Sequence, residues 1–332
     1  MSVTIKEVAA AAGVSTATVS KVLNRSPSIS QPTIDRVNAV MEQLGYHPNK
    51  RAQNFARQAT KTVLFLAQMG HGVGFDNPHM FEILAGIEET LARKNYSLLI
   101  KAIAAPQLAE QWAGLAAGEA VDGVILHASV VSKEVAGLLA ATALPYVVVG
   151  MPDFSNRLCW IDSNNAFAGQ IAARHLLARG YDRIAYIGGP KPDTISSHRL
   201  SGVLEAMSTT MPAGYIRHGE PTCENGEAAA LALLGLETPP NAVICANQYI
   251  ALGCVNVLHR RGVAIPKEMA VITFDDFPFS KVIDPKLTVV NIDMHDMGCE
   301  AGKIMLQKIK KPQLLVQTYT TLPVLIHRAS TG

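Results

Sequence analysis

The stretch VSTATVSKVLN, Val14 to Asn24, puts four small hydroxyl residues on a short helical pattern near the start of a chain of 332 residues. Val19, Val22 and Leu23 fall on one stripe, with Val14 just ahead of it, and that stripe is expected to be buried. Thr16, Ala17, Ser20 and Lys21 lie on the opposite side, and Ser15 is placed to cap the helix. Upstream, Thr4 opens a capping box that Glu7 closes, and the helix it starts runs through Val8 to Ala12 until Gly13 breaks it. Downstream, Ile34, Val37, Val40, Met41 and Leu44 mark a third helix, which stops at Gly45. Helix, tight glycine turn and helix is the layout of a helix-turn-helix, whose second helix enters the DNA major groove. Short hydroxyl and methyl side chains let a backbone approach the duplex closely and bond base edges or phosphates, and Lys21 can reach guanine or phosphate. The competing reading is an ordinary solvated helix face. Charge weighs against it: through residue 61 eight Lys and Arg stand against three Asp and Glu, a balance of +5, so the whole-chain +2 leaves −3 for the rest. An anionic partner at the N-terminal end is implied.

The segment YHPNKRAQNFARQATK is polar and basic and reads as a linker. Beyond it the pattern alternates. Strands are expected at 63–69, 97–103, 121–127, 146–150, 183–188, 242–247 and 270–274, with helices between them at 80–94, 167–179, 250–261 and 297–309. Such alternation specifies parallel sheets covered on both faces, and this length of it calls for two doubly wound lobes. The expected organisation is residues 1–46 as an all-α helix-turn-helix domain, 47–61 as a hinge or linker, and 62–332 as an α/β body. The first lobe of that body takes about 62–160 and 291–319, and the second about 161–290 and 320–330.

Several classes are excluded. No apolar run is long enough to span a bilayer, and the N-terminus has no basic stretch followed by an apolar segment and a cleavage site, so a cytoplasmic location is expected. The five cysteines are scattered and form no CxxC pair, which reads as reduced core thiols rather than a disulfide framework or zinc site. GHGVGF, Gly70 to Phe75, fails the dinucleotide fingerprint at its last position, and no GxSxG, HExxH or Walker loop is present. Neither an enzyme nor a cofactor is expected.

In order and spacing, TIKEVAAAAGVSTATVSKVLN, ISQPTIDRV and LGYHPNKRAQNFA resemble the DNA-binding headpiece of the lactose/galactose repressor family of bacterial transcription regulators. The alternating body resembles that family's effector domain, of periplasmic-binding-protein type, so the resemblance spans essentially the whole chain. It implies that Thr16, Ala17 and Lys21 read bases, while Thr4, Ser15, Thr18, Ser20 and Asn24 hold phosphates or structure. It also implies that Asn49 to Arg57, with Asn49, Lys50 and Gln53, forms a hinge helix folded when two copies meet on the minor groove. Phe55 stands there where the family usually places a leucine that wedges between base pairs. In the body the resemblance implies a ligand cleft at the strand ends. Arg199 in SSHRLSG, Asn247 in CANQYIALG and Asp275 in ITFDD match ligand positions, with Asp276 a weaker partner. His127, His79 and Met80 are candidates from the first lobe. His79 and Met80 replace two aromatics that often follow NP in the family, Gly150 stands where some members have an aspartate, and NIDMHDMG offers Ile292 and Met294 instead of a glutamine and an aromatic. The implied protein is a homodimer on a pseudo-palindromic operator, a repressor of a carbohydrate-use operon released by a sugar-like inducer. The alternative is a regulator whose purine-like co-repressor strengthens DNA binding. A sugar receptor or enzyme without DNA function is the remote one, since neither needs residues 1–60.

Overall fold

The computed structural model describes residues 5–23, 29–44, 60–69, 78–117, 121–207, 210–312, 314 and 318–332. The chain divides into two compact units, Met1–Lys61 with Glu119–Asp122, and Thr62–Gly118 with Gly123–Gly332.

The first unit is built on α1 (Ile5–Ala12), α2 (Thr16–Leu23) and α3 (Gln31–Gln43). The expected apolar stripes make its core: Val8, Ala9, Ala12, Val19, Val22 and Val37 are buried, with Val14, Leu23, Ile34, Val40, Met41 and Leu44 packed on them. Gly13 adopts φ +61°, a left-handed conformation that suits glycine, and Val14 N–H donates to Ala9 O at 3.0 Å to close the first helix. Ser15 Oγ accepts Thr18 N–H at 3.1 Å, the cap expected from the sequence. The third helix starts three residues earlier than its apolar stripe implies, because Pro32 is tolerated in a first turn, where its missing N–H has no helical partner anyway.

The second unit holds two six-stranded sheets. The first lobe runs β1 (Thr62–Ala67), α4 (Pro78–Ala92), β2 (Ser97–Ala102), α5 (Ala105–Ala117), β3 (Gly123–His127), α6 (Lys133–Ala141), β4 (Tyr146–Val149) and β5 (Trp160–Ser163). The chain then enters the second lobe with α7 (Asn165–Ala178), β6 (Ile184–Gly188), α8 (Thr194–Ala206), β7 (Ile216–His218), α9 (Cys223–Leu234), β8 (Ala242–Cys245), α10 (Gln248–Arg260), β9 (Ala270–Phe274), α11 (Pro278–Val282) and β10 (Thr288–Asn291). It returns to the first lobe with α12 (Met294–Lys310) and β11 (Thr318–Thr321), and ends on the second with β12 (Val324–Ile326). Strand order is β11-β5-β4-β3-β1-β2 in the first sheet and β12-β10-β9-β8-β6-β7 in the second. Every pairing is parallel except β10 with β12, which is antiparallel at an edge.

All seven expected strands are present, but β5, β7, β10, β11 and β12 were not anticipated. Because β5 pairs with β4 and β11, residues 161–163 belong to the first lobe rather than the second. The chain therefore changes lobe at 163–165, 291–294 and 321–324, a few residues beyond each expected boundary. Helices on these sheets pack backbone to backbone through glycines: a Cβ on Gly202 of α8 would sit 1.7 Å from Ala166 O of α7, and one on Gly169 of α7 would sit 1.9 Å from Arg199 O of α8. No described helix is long and apolar enough to cross a membrane.

That contact predicts a cost. Gly202→Ala must push α7 and α8 apart, and the expected loss is about 1–3 kcal/mol, as for overpacked cores. It is to be read as a lowered urea midpoint, and a midpoint equal to the parent's would contradict the close approach.

Candidate DNA-reading helix and effector cleft

On α2 the division expected from the sequence is observed. Val19 and Val22 are buried, whereas Thr16, Ala17 and Lys21 are exposed together, with Thr18 and Ser20 partly covered at the margin. Ser15 Oγ lies 2.9 Å from Thr18 Oγ1 as well as capping Thr18 N–H, so these two hydroxyls order the first turn. Thr4, Asn24, Asn49, Lys50, Gln53 and Phe55 lie outside the described residues.

Between the lobes of the second unit lies a cleft of about 690 Å³, within the usual size range of small-molecule sites. It sits at the carboxyl ends of the parallel strands, where open α/β sheets bind ligands. The second lobe contributes Arg199, Asn247 and Asp275; the first contributes His79, His127 and Asp162.

Arg199, on α8, is only 3% exposed. Its Nε donates to Asn165 Oδ1 at 3.0 Å, one terminal nitrogen donates to Ala246 O at 2.6 Å, and its guanidinium carbon lies 4.2 Å from the centre of the Phe274 ring. The other terminal nitrogen is 3.6 Å from Asp275 Oδ2, close enough for an ion pair but long for a hydrogen bond. Asp275 follows β9 with φ +68°, a left-handed conformation aspartate tolerates better than most residues. From the other lobe, His79 Nε2 comes within 3.5 Å of the same carboxylate oxygen, and the His79 ring meets Phe277 edge-on at 4.8 Å. Burial lowers the His79 pKa, with Asp275 raising it and Arg199 lowering it to lesser extents. Two buried atoms here have no hydrogen-bond partner among the described residues, Asp275 Oδ1 and His79 Nδ1. Buried polar atoms normally find partners, so the pair marks a place where a ligand would be received.

Asn247 spends its Oδ1 capping α10 through Ile250 N–H at 2.9 Å, which leaves its amide NH₂ as the group offered to the cleft. His127 Nδ1 accepts Ser129 N–H at 3.2 Å, and burial holds its pKa down at about 4. Asp162, at the end of β5, accepts Met151 N–H at 2.9 Å and Ser163 N–H at 2.7 Å; burial raises its pKa against those hydrogen bonds.

Two expectations are corrected. Met80 does not line the cleft: it is 3% exposed in the first-lobe core, because α4 turns position 80 toward the sheet and position 79 toward the opening. Asp276 is engaged elsewhere, with Arg328 at 2.6 Å, Lys281 at 3.3 Å and Ser280 Oγ–H at 2.8 Å. Asp162, Asn165 and Asp193 join the cleft without having been singled out. A usable signal was present, since DSNN at 162–165 and Asp193 before α8 are strand-end and helix-cap patterns.

Comparison with known proteins agrees with both units. Residues 4–49 match the family described as bacterial regulatory proteins, lacI family, and residues 173–331 match the periplasmic binding protein-like domain. The HTH-type transcriptional repressor PurR of Actinobacillus pleuropneumoniae serotype 3 (strain JL03) is 30% identical, over 98% of each chain. PurR of Vibrio atlanticus (strain LGP32) is 27% identical, also over 98% of each. Among solved structures, the transcriptional regulator CelR–cellobiose complex is 28% identical with a TM-score of 0.72, covering 99% of each chain. The Lac repressor dimer bound to operator and the anti-inducer ONPF has the same fold, with a TM-score of 0.83 at 23% identity over 100% of this chain and 99% of that one.

Two partly buried histidines predict acid sensitivity. His127 and His175 both have folded pKa values of about 4 against a usual 6.5, chiefly through burial. The unfolded chain therefore takes up their protons first, so their contribution to stability is intact above pH 6.5 and lost as pH falls from 6.5 toward 4. Urea midpoints measured across that window should fall, and should fall less steeply in His127→Gln; parallel pH profiles for the two proteins would contradict this origin.

Proposed function

The chain belongs to the lacI family of bacterial regulatory proteins, and from the lining of its cleft we propose that its effector is a neutral polyhydroxylated molecule of sugar type that releases it from its operator. As a member of that family it is a DNA-binding transcriptional repressor, and its relatives are repressors rather than enzymes. In this reading Thr16, Ala17 and Lys21 read bases on a pseudo-palindromic operator, with Ser15, Thr18 and Ser20 holding the backbone. Two copies of the chain bind together and place Asn49, Lys50, Gln53 and Phe55 of the two hinges on the minor groove between them. The exposed edge strand β2, with Leu99 and Ile100 about half exposed, and Phe81 nearby in sequence on α4, supports a surface for that second copy.

The observation that carries the effector class is the mixture of groups at Arg199, Asp275 and His79. An arginine with donors to spare beside a carboxylate oxygen lacking a partner matches adjacent hydroxyls, each of which donates and accepts. Asp153, Asp162, Asp193 and Asp275 outnumber the single Arg199 in the lining, which disfavours phosphorylated ligands. The cellobiose complex of CelR supports the same class. The second reading is a purine-like co-repressor, favoured by the relatives named PurR. Against it, no Phe, Tyr or Trp lines the cleft among the described residues, so none offers a stacking face for a planar base. Coupling between sites is reciprocal and typically worth about 1–3 kcal/mol, so operator must shift effector affinity by as much as effector shifts operator affinity.

Gel shifts with genomic fragments should give a sequence-selective complex of two chains, with affinity falling steeply as salt rises. Lys21→Ala should weaken it about tenfold or more, equivalent to about 1–3 kcal/mol at a base contact. A complex insensitive to salt, or indifferent to Lys21, would reject the DNA-reading assignment. For the effector, a thermal-shift screen over sugars, sugar phosphates and purines should find a neutral sugar that raises Tm and lowers operator affinity. Asp275→Asn should weaken that hit at least tenfold, at some cost in Tm because Arg199 loses its buried counter-charge, with circular dichroism checking that the variant is folded. A purine hit that strengthens operator binding would replace the sugar reading with its rival.

A further inference from the structure

The helices that form the first lobe's wall of the cleft also carry a side-chain cluster that neither DNA nor the proposed effector uses. Glu89, toward the end of α4, meets His295 and Cys299, which stand four residues apart on one face of α12. His295 Nε2 is 3.2 Å from Glu89 Oε2, His295 Nδ1 is 3.7 Å from Cys299 Sγ, and one ligand atom from each residue lies within 4.8 Å of the other two. His295 and Glu89 are about 40% exposed, and Cys299 is a partly buried free thiol, so all three can be reached from solvent.

The scaffold beneath them is rigid. A Cβ on Gly86 would lie 2.1 Å from His295 O and one on Gly298 would lie 2.2 Å from Ile83 O, so α4 and α12 touch backbone to backbone. Thr90 Oγ1–H donates to Cys299 O at 3.3 Å across the same seam. The three donors are thereby held on two helices whose separation is fixed, not on loops.

We propose that Glu89, His295 and Cys299 form a binding site for a divalent transition metal of zinc type. Imidazole, thiolate and carboxylate are the donor set zinc accepts, with metal bonds of about 2.0–2.3 Å, so ligand atoms must stand about 3–4 Å apart. The nitrogen–sulfur pair already does. Ligation through Nδ1 keeps that pair, and Glu89 completes the set by turning from Nε2, and from the Arg93 side chain with which it now pairs, toward the same ion. Three protein ligands leave a fourth position for water. The ion would join α4 to α12, whose first turns present His79, Ile83, Met294 and Met297 to the cleft. It would stiffen that wall whatever effector the cleft takes.

The test is cobalt and zinc binding to the full-length, reduced protein. Cobalt should bind at one ion per chain with a thiolate-to-metal charge-transfer band, and zinc should displace it. Cys299→Ser should abolish the band, and both Cys299→Ser and His295→Gln should weaken zinc at least tenfold in competition with a chromophoric chelator. Glu89→Gln should weaken zinc as well, whereas Cys223→Ser, at another partly buried thiol, should change nothing. Circular dichroism checks that each variant is folded. The proposal is overturned if no charge-transfer band forms, if the band survives in Cys299→Ser or is lost in Cys223→Ser, or if zinc affinity is the same in Glu89→Gln or His295→Gln as in the parent.

Discussion

A buried guanidinium is costly unless its surroundings are arranged for it, and the ends of the second-lobe strands are arranged around Arg199. Ala246 O beyond β8, Asn165 at the start of α7, the Phe274 ring at the end of β9 and Asp275 just after it all contact that one side chain. Removing Asp275 leaves an uncompensated charge in a dry place; removing Arg199 leaves Asp275 there instead. The arrangement therefore fixes the C-terminal rim of the sheet and the cleft floor together. The left-handed backbone at Asp275 is tolerated within the same network.

Arg199 reaches that position because of what lies behind it. Gly169 lies so close to the Arg199 carbonyl that any side chain there would collide with it, and Gly202, less than one turn on from Arg199, lets α7 approach α8 from the same side. Seated by that seam, α8 extends the long arginine side chain to the strand ends. The same device recurs at Gly86 and Gly298 between α4 and α12, and at Gly226 and Gly253 between α9 and α10. Each lobe is in effect a sheet carrying helix pairs locked at their glycines, and each such pair projects its N-terminal residues or a neighbouring cap into the cleft.

How legible this was varied with the physics. The described helices of the headpiece are legible, because their apolar spacing, the Gly13 turn and the Ser15 cap are all local. The central strands were legible as β-branched runs buried on both faces, such as AVITF at 270–274. Edge and polar strands were not: TYTT at 318–321 is exposed, IRH at 216–218 is three residues long, and WIDS at 160–163 alternates with an aspartate. Their pairing is set by partners far away in the chain. At the cleft, the family resemblance of SSHRLSG, CANQYIALG and ITFDD points to Arg199, Asn247 and Asp275, but Asp162 goes unread with its strand. Met80 was misplaced because the facing of a helix's first turn depends on the sheet it lands on, which the neighbouring His79 shares but answers in the opposite direction.

The contact between His79 and Asp275 bears on how the cleft can act as a switch. It joins a first-lobe helix to a second-lobe strand end at 3.5 Å, so the two lobes already touch at the place where the effector is proposed to bind. A ligand changes the balance between conformations only by its difference in affinity for them, and a closed cleft held by its own side chains has little to gain from a ligand that merely adds contacts. The effective ligand is one that satisfies Asp275 Oδ1 and His79 Nδ1, the atoms the inter-lobe contact leaves without partners, while preserving or replacing the contact itself. A molecule with hydroxyls on neighbouring carbons does both at once. It can donate to the carboxylate and to His79 Nδ1 and accept from the guanidinium, so the lobes are set at a spacing the ligand dictates instead of the one His79 and Asp275 choose alone.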